Sequence, residues 1–459
     1  MWWDTIPPLK GDKVGGIHIL IYLCPLMQNH LLIYTDFVTE RLVYTWQFIC
    51  NPRGITFEFC NDPNRFVQAT NKAKLVYSDY PFEKAFPKII PARLLFDDSI
   101  ENQNLHLGTY ENEKCLQFDE ISDPIASVFY IISRYEEYLS FPADEHDRFS
   151  AEHSILKKFN WLHQPVADIW AEQVLLKVQK NYSEFRITHP ESSLTLTFDI
   201  DNTFAFKHKN WMQLLGGRLK DFAKGNSNNQ DLRREVLAGQ TPDPNDTFDL
   251  ISQYISDQNE VKIFWHLGDF KKFDRNISWT NAVHQRLIQK MGKQTTLGIH
   301  PSYASYLNEA LVRQERGRLE HILKKPVLDS RQHFLKVRFP GTFELLNNIG
   351  IKNDYSVGFA DYFGFRMGTA QALPFFNLLT DEVSDLILHP FVYMDGTLNQ
   401  YLKLSPEQAI EQVNALMKEV KKHGGNFICI WHNDTINNQG NWENWRQVLD
   451  ATIDAYSNT

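Results

Sequence analysis

The sequence predicts an α/β protein in two parts, a smaller N-terminal α/β domain followed by a distorted seven-stranded (β/α) barrel. Three observations predict it. The chain has 459 residues, more than a single core usually supports. Beyond residue 189, strand-like apolar runs alternate with helical ones, as parallel strands joined by helical crossovers require. Seven such runs are present, one short of a full eight-stranded barrel.

Taken in order, residues 1–26 read as a non-native extension, because Met27 directly precedes a polar-then-apolar strand pattern. The segment Gly16–Met27 is apolar but too short to span a bilayer, and no small-x-small cleavage pattern follows it. Residues 27–188 form the first domain, with strands expected at His30–Tyr34, Ile55–Phe59 and Lys74–Tyr77 and helices at Val38–Ile49, Ile125–Leu139 and Val166–Gln179. In the second of these helices Ile125, Val128, Phe129, Ile132 and Tyr135 recur at helical spacing. Its charged tail, SRYEEYLSFPADEHDRF, reads as a helix end running into a Pro-containing loop.

His189-Pro190 breaks the pattern and opens the second domain, 189–459. Its expected strands are Leu194–Asp199, Val261–His266, Thr295–His300, Val327–Phe334, Ile351–Ser356, Leu386–Val392 and Asn426–His432. Helices are expected at Thr247–Ser256, Thr280–Met291, Leu311–Leu323, Phe343–Asn348 and Glu407–His423. The last opens on Ser405-Pro406, an N-cap followed by Pro at the first helical position. The polar stretch Gly216–Asp246 reads as an insertion or lid.

Composition excludes several classes. A formal charge of −9 with only short, acid-interrupted basic runs argues against a nucleic-acid partner. No segment qualifies as an integral membrane span. Five scattered cysteines without C-x-x-C spacing argue against a disulfide framework or a cysteine-rich zinc module, and fit a reducing, cytoplasmic location.

The chemistry concentrates at strand ends. In LTLTFDIDNT, Leu194 to Thr203, apolar residues alternate with Thr, so Asp199 and Asp201 share one face of a strand. Two carboxylates so close need a cation or a proton between them. Other expected strands end in His266, His300, Arg331 with His333, His389 and His432. Carboxylate and imidazole gathered at one barrel mouth are a divalent-metal combination. His321 and His423 read as surface residues, and Trp442 and Trp445 as core.

From Leu194 to about Tyr456 the chain resembles the polysaccharide deacetylase family, the NodB-homology fold of carbohydrate esterase family 4. TFDID (Thr197–Asp201) is similar to the family's first motif, T-F-D-D, and GIHPSYAS (Gly298–Ser305) to its second. SRQHFL (Ser330–Leu335) stands at the R-x-P-x-G motif, and CIWHND (Cys429–Asp434) is similar to the closing L-x-H motif. The resemblance implies a divalent ion, zinc by expectation, held by Asp201 and His300. It also implies Asp199 as general base oriented by Arg331, and His432 as general acid. The family's second metal histidine falls at Ala304, with Ser302, Ser305 or His333 as substitutes, and no D-x-x-D-W motif is found. His333 is taken as the third ligand, and Trp431, Ser302 and Tyr303 as substrate-binding residues. The implied function is metal-dependent hydrolysis of a non-peptide carbon–nitrogen bond, in an acetylated amino sugar, a polysaccharide or another acylated amine. The N-terminal domain resembles domains of unknown function found ahead of such deacetylase domains.

Two rivals fit parts of the same residues. D-x-D-x-T also opens haloacid-dehalogenase phosphatases, with Asp199 as nucleophile and GDFKKFD (Gly268–Asp274) as a magnesium motif. That reading leaves His300, Arg331 and His432 without a role. A non-catalytic carbohydrate-binding protein would explain Ala304 and the altered third motif.

Overall fold

The computed structural model describes residues 29–70, 72–209, 214, 227–255 and 259–457. The expected extension at 1–26 lies outside the described residues, as does part of the expected insertion at Gly216–Asp246. Three sheets organise the rest. Strands β1 (His30–Tyr34), β2 (Thr56–Cys60), β3 (Ala73–Tyr77) and β4 (Lys88–Ile89) form a parallel sheet in the order β2-β1-β3-β4. Strands β5 (Leu105–Tyr110), β6 (Glu113–Phe118) and β7 (Ile121–Ser122) form an antiparallel meander.

The large sheet contains β8 (Ser192–Ile200), β9 (Glu260–Trp265), β10 (Thr296–Ile299), β11 (Asp329–Ser330), β12 (Asn353–Asp354), β13 (Leu373–Asn377), β14 (Glu382–Leu388), β15 (Tyr393–Met394) and β16 (Gly425–His432). Their order is β13-β14-β12-β11-β10-β9-β8-β16-β15, parallel throughout except between β13 and β14. The expected seven-stranded barrel is therefore corrected: among the described residues this is a nine-stranded sheet with two free ends, and no ladder closes it. A backbone hydrogen bond from Phe391 N–H to the Val357 carbonyl (3.0 Å) spans the chain entering β15 and the chain leaving β12. Sequence counting misses β13, which carries Pro374, and β15, which has only two residues.

Period-two alternation decides which residues reach the site. Along β8, Leu194, Leu196, Phe198 and Ile200 enter the main apolar core, so Thr195, Thr197 and Asp199 take the opposite face. Along β16, Phe427, Cys429 and Trp431 enter the same core, while Ile428 and Ile430 join a second cluster with Phe264, Leu335, Tyr355 and Phe391. That second cluster forms an apolar floor on the face shared by Asp199 and His432. Gly298 in β10 is required by close packing there, because an added Cβ would stand 2.6 Å from the Phe264 ring and 2.9 Å from the Asp329 carbonyl.

The two halves of the chain share one continuous core. The expected helix Ile125–Leu139 ends at Ile132, and Arg134 follows in a left-handed conformation at φ 54°. The charged tail after it turns inward. Arg134 and Glu137 are buried, and Glu137 forms a bidentate pair with Arg366 of the second half at 3.0 and 2.6 Å. Tyr44 donates to the Pro374 carbonyl (3.0 Å), and Arg41 pairs with Asp381 (2.7 Å), also across the halves.

Candidate functional site

Strand ends and the loops after them bring six sequence-predicted residues to one place. Asp199 closes β8 and Asp201 follows it, His300 follows β10, Arg331 and His333 follow β11, and His432 ends β16. A cavity of about 240 Å³ opens over them, lined by Asp199, Asp201, His300, His333, His432 and Asp395 among others. Asp201 stands at its centre. His300 Nε2 lies 3.1 Å from Asp201 Oδ1, His333 Nε2 3.3 Å from Oδ2, and His432 Nε2 3.9 Å from Oδ2.

The far nitrogens of these rings are all engaged. His300 Nδ1–H donates to the Arg331 carbonyl (2.6 Å), and His333 Nδ1–H to Asp274 Oδ1 (3.1 Å). His300 and His333 therefore turn Nε2 toward Asp201, an arrangement that metal-binding imidazoles adopt. Asp201 Oδ1 is buried and receives no hydrogen bond, so a carboxylate lone pair and an imidazole nitrogen face each other without a shared proton of good geometry. Asp201, His300 and His333 offer ligand atoms all within 4.8 Å of one another, a donor set of one oxygen and two nitrogens that suits a zinc-like divalent ion. A second group, His266, Asp274 and His333, meets the same spacing and is wholly buried.

Two flanks complete the site. On one, Asp199 is 2% exposed and its Oδ1 accepts from Arg331 Nη1 at 3.0 Å. Arg331 is fixed in turn by the Thr197 hydroxyl (2.6 Å), the Tyr355 carbonyl (3.0 Å) and the Phe264 ring beneath it (4.5 Å). On the other, His432 Nδ1–H donates to Asp395 Oδ1 (2.9 Å), and Asp395 also accepts from His432 N–H (2.9 Å) and the Thr435 hydroxyl.

Charge follows from this packing. Burial disfavours the ionised form of Asp201, but His333, His300 and His432 outweigh it and hold the carboxyl well below the usual carboxylate range. Burial likewise opposes protonation of His432, yet Asp395, then Asp201 and Asp199, keep the imidazole well above its ordinary value. His333 is raised to about 9 because Asp201 and Asp274 overcome its burial. Burial, with His333 nearby, pushes His266 down to about 3.

Three expected substrate-binding residues lie elsewhere. Trp431 is fully buried in the main core and donates Nε1–H to the Tyr393 hydroxyl (3.2 Å), because alternation along β16 points it away from His432. Ser302 caps a 3-10 turn at Tyr303–Ser305, and its hydroxyl is taken by Glu315 Oε1 (2.6 Å). Tyr303 packs against Phe273 and Phe334 outside the cavity lining. Trp442 lines the cavity instead, while Trp445 is core. Neither His266 nor His389 lines the cavity, and His423 is buried against Glu172 rather than on the surface. In the phosphatase-like segment, Asp269 pairs with Arg318 (2.9 Å), and Asp274 accepts from His333 and from the Tyr303 and Ala304 N–H groups. That leaves no acidic pair beside Asp199 from this segment.

Sequence reading missed Asp395, and it placed Asp274 in a magnesium motif and Arg148 in the charged tail rather than at this site. Asp395 had a usable signal: it ends an apolar run, FVYMD, in the same way that Asp199 and His432 end theirs.

A family described as of unknown function (DUF7033) matches residues 31–183, less than half of the chain. A search of curated proteins finds no match. Solved structures similar to this chain include a protein from Mycobacterium smegmatis provisionally named a polysaccharide deacetylase, 16% identical with a TM-score of 0.36, covering 58% of this chain and 83% of that one. A polysaccharide deacetylase from Bacillus cereus is 10% identical with a TM-score of 0.28, over 58% of this chain and 87% of that one.

Proposed function

We propose that this protein is a metal-dependent hydrolase of non-peptide carbon–nitrogen bonds that deacetylates an N-acetylated amino sugar or polysaccharide. The observation that carries the reading is the convergence on Asp201 of imidazoles from three strand ends, between an Arg-held carboxylate and a carboxylate-held imidazole. Asp201, His300 and His333 would hold the ion. When bound, a zinc-like ion supplies Lewis acidity that polarises an amide carbonyl and acidifies water.

The chain's own residues do the rest. Asp199 leaves Oδ2 free of Arg331 and takes the proton of the attacking water. Arg331 keeps that carboxylate in place through three further contacts, so the base does not swing. An amine leaves poorly unless it is protonated, and His432, kept protonated and oriented by Asp395, donates that proton from Nε2. Each of these acid–base roles contributes about 10²–10⁴-fold. Met394, Tyr401 and Trp442 give the polar site an apolar and aromatic rim, as a sugar ring with a polar edge and an apolar face requires.

Metal analysis of the purified chain, followed by acetate release from N-acetylated oligosaccharides, tests the reading. The expected result is about one divalent ion per chain and acetate release that His300→Ala abolishes. Magnesium-dependent phosphatase activity lost in Asp199→Asn would instead favour the phosphatase reading, and a metal-free, inactive wild type the non-catalytic one.

A further inference from the structure

The ligand assigned to His333 sits on an unusual piece of backbone. Phe334 and Leu335, directly after it, are both left-handed, at φ 62° and 52°, and neither is Gly or Asn. L-residues with Cβ crowd the carbonyl oxygen in this conformation, so two in succession persist only where surroundings impose them. Part of the restraint is local: Leu335 N–H donates to the Gln332 carbonyl (2.9 Å), and His333 N–H to the Pro301 carbonyl (3.2 Å).

Phe273 and Tyr303 pack on the Phe334 ring, and the N-terminal half adds the polar restraint. Arg148 Nη1 donates to the Phe334 carbonyl at 2.9 Å, and the His146 ring packs on the Phe334 ring at 5.0 Å. Arg148 is itself locked. Its Nε donates to Asp144 Oδ2 (2.7 Å), its own N–H to Asp144 Oδ1 (2.9 Å), and Nη2 to the Tyr401 hydroxyl (3.1 Å). The backbone of 144–148 closes on itself, with Asp144 N–H donating to the Arg148 carbonyl (3.1 Å). The same hook grips the neighbouring loop. Asp147 accepts from the Tyr306 hydroxyl (2.8 Å), and His146 Nδ1 meets the Tyr303 hydroxyl (3.3 Å). Both tyrosines belong to the loop that follows His300, and Arg148 lines the cavity beside the histidines.

We infer that the Asp144–Arg148 hook, which belongs to the region matching a family of unknown function, is a positioning element of the catalytic cavity. Arg148 holds the left-handed turn that aims His333 at Asp201. This rests on the reading of His333 as a metal ligand. On this inference the second half of the chain alone would present an incomplete site.

Zinc or cobalt binding to the full chain tests it, with circular dichroism and thermal melting as folding controls. Arg148→Ala is expected to weaken metal binding about 10–100-fold, the usual effect of removing a group that orients a ligand. Arg148→Lys, keeping a donor, should recover part of it. The loss should shrink when Arg148→Ala is made together with Phe334→Gly, since Gly adopts the left-handed turn without restraint, an outcome that a merely global destabilisation would not give. If Arg148→Ala does not fold, Asp144→Asn, which loosens the guanidinium without removing it, must weaken metal binding in the same direction or the inference fails. Wild type that binds metal with Arg148→Ala binding equally well overturns this inference alone. Wild type that binds no metal overturns the hydrolase reading and this inference together.

Discussion

His300 and His333 approach the same carboxylate, at 3.1 and 3.3 Å, but they are supported in different ways. His300 follows β10 in the middle of the sheet, and its Nδ1–H rests on a backbone carbonyl of the next strand's loop. The sheet alone aims it. His333 stands beyond a two-residue strand, on a left-handed turn, with Nδ1–H on the Asp274 carboxylate and its backbone tied to Arg148. A residue just past a four-residue strand in the middle of the sheet needs little outside help, whereas one beyond a two-residue strand borrows its orientation from side chains distant in the sequence.

The largest effect on this contrast is expected on the His300 side. Asp199 Oδ2 lies 3.8 Å from His300 Nε2, and Asp199→Asn should lower kcat about 10²–10⁴-fold while bound metal stays near wild-type level. Kinetics paired with metal content would check it.

Next comes the joint between the halves. Glu137→Gln leaves Arg366 buried without a carboxylate and Arg134 with Glu136 alone, and should cost about 3–5 kcal/mol at neutral pH in denaturant unfolding. Burial alone would raise the Glu137 carboxyl, but Arg366 and Arg134 outweigh it and depress it. A depressed carboxyl gives stability that is present above its unfolded value and is lost as pH falls through the folded one. The difference between wild type and Glu137→Gln should therefore narrow as pH falls below about 4.5, the ordinary Glu range.

Asp274→Asn tests the His333 side directly. It removes the carboxylate that orients the imidazole and should weaken metal binding about 10–100-fold by titration calorimetry. No side-chain substitution can do the same to His300, whose partner is a backbone carbonyl. The smallest effect concerns the rim: Trp442→Ala should raise KM several-fold with kcat nearly unchanged, and Trp431→Phe should alter neither, because only Trp442 lines the cavity.

The same contrast explains what could be read from sequence. Asp199, Asp201, His300 and His432 end or follow apolar runs of four to nine residues, and such runs announce themselves by alternation. The expected strand Val327–Phe334 is regular only at Asp329–Ser330, since the chain turns at His333 to bring the imidazole round. Asp274, Arg148 and Glu137 act through partners 59, 186 and 229 residues away, and no local pattern encodes such pairings. The charged tail after Ile132 reads as a helix end running into a loop for that reason. The nine-stranded sheet is undercounted because β13 carries Pro374 and β15 has only two residues.

Crystals of the full chain grown with zinc and measured at its absorption edge would test the central claim most directly. The account predicts an anomalous peak bonded to Asp201, His300 and His333 together. A peak among His266, Asp274 and His333 instead, or none at any of these residues, would contradict it.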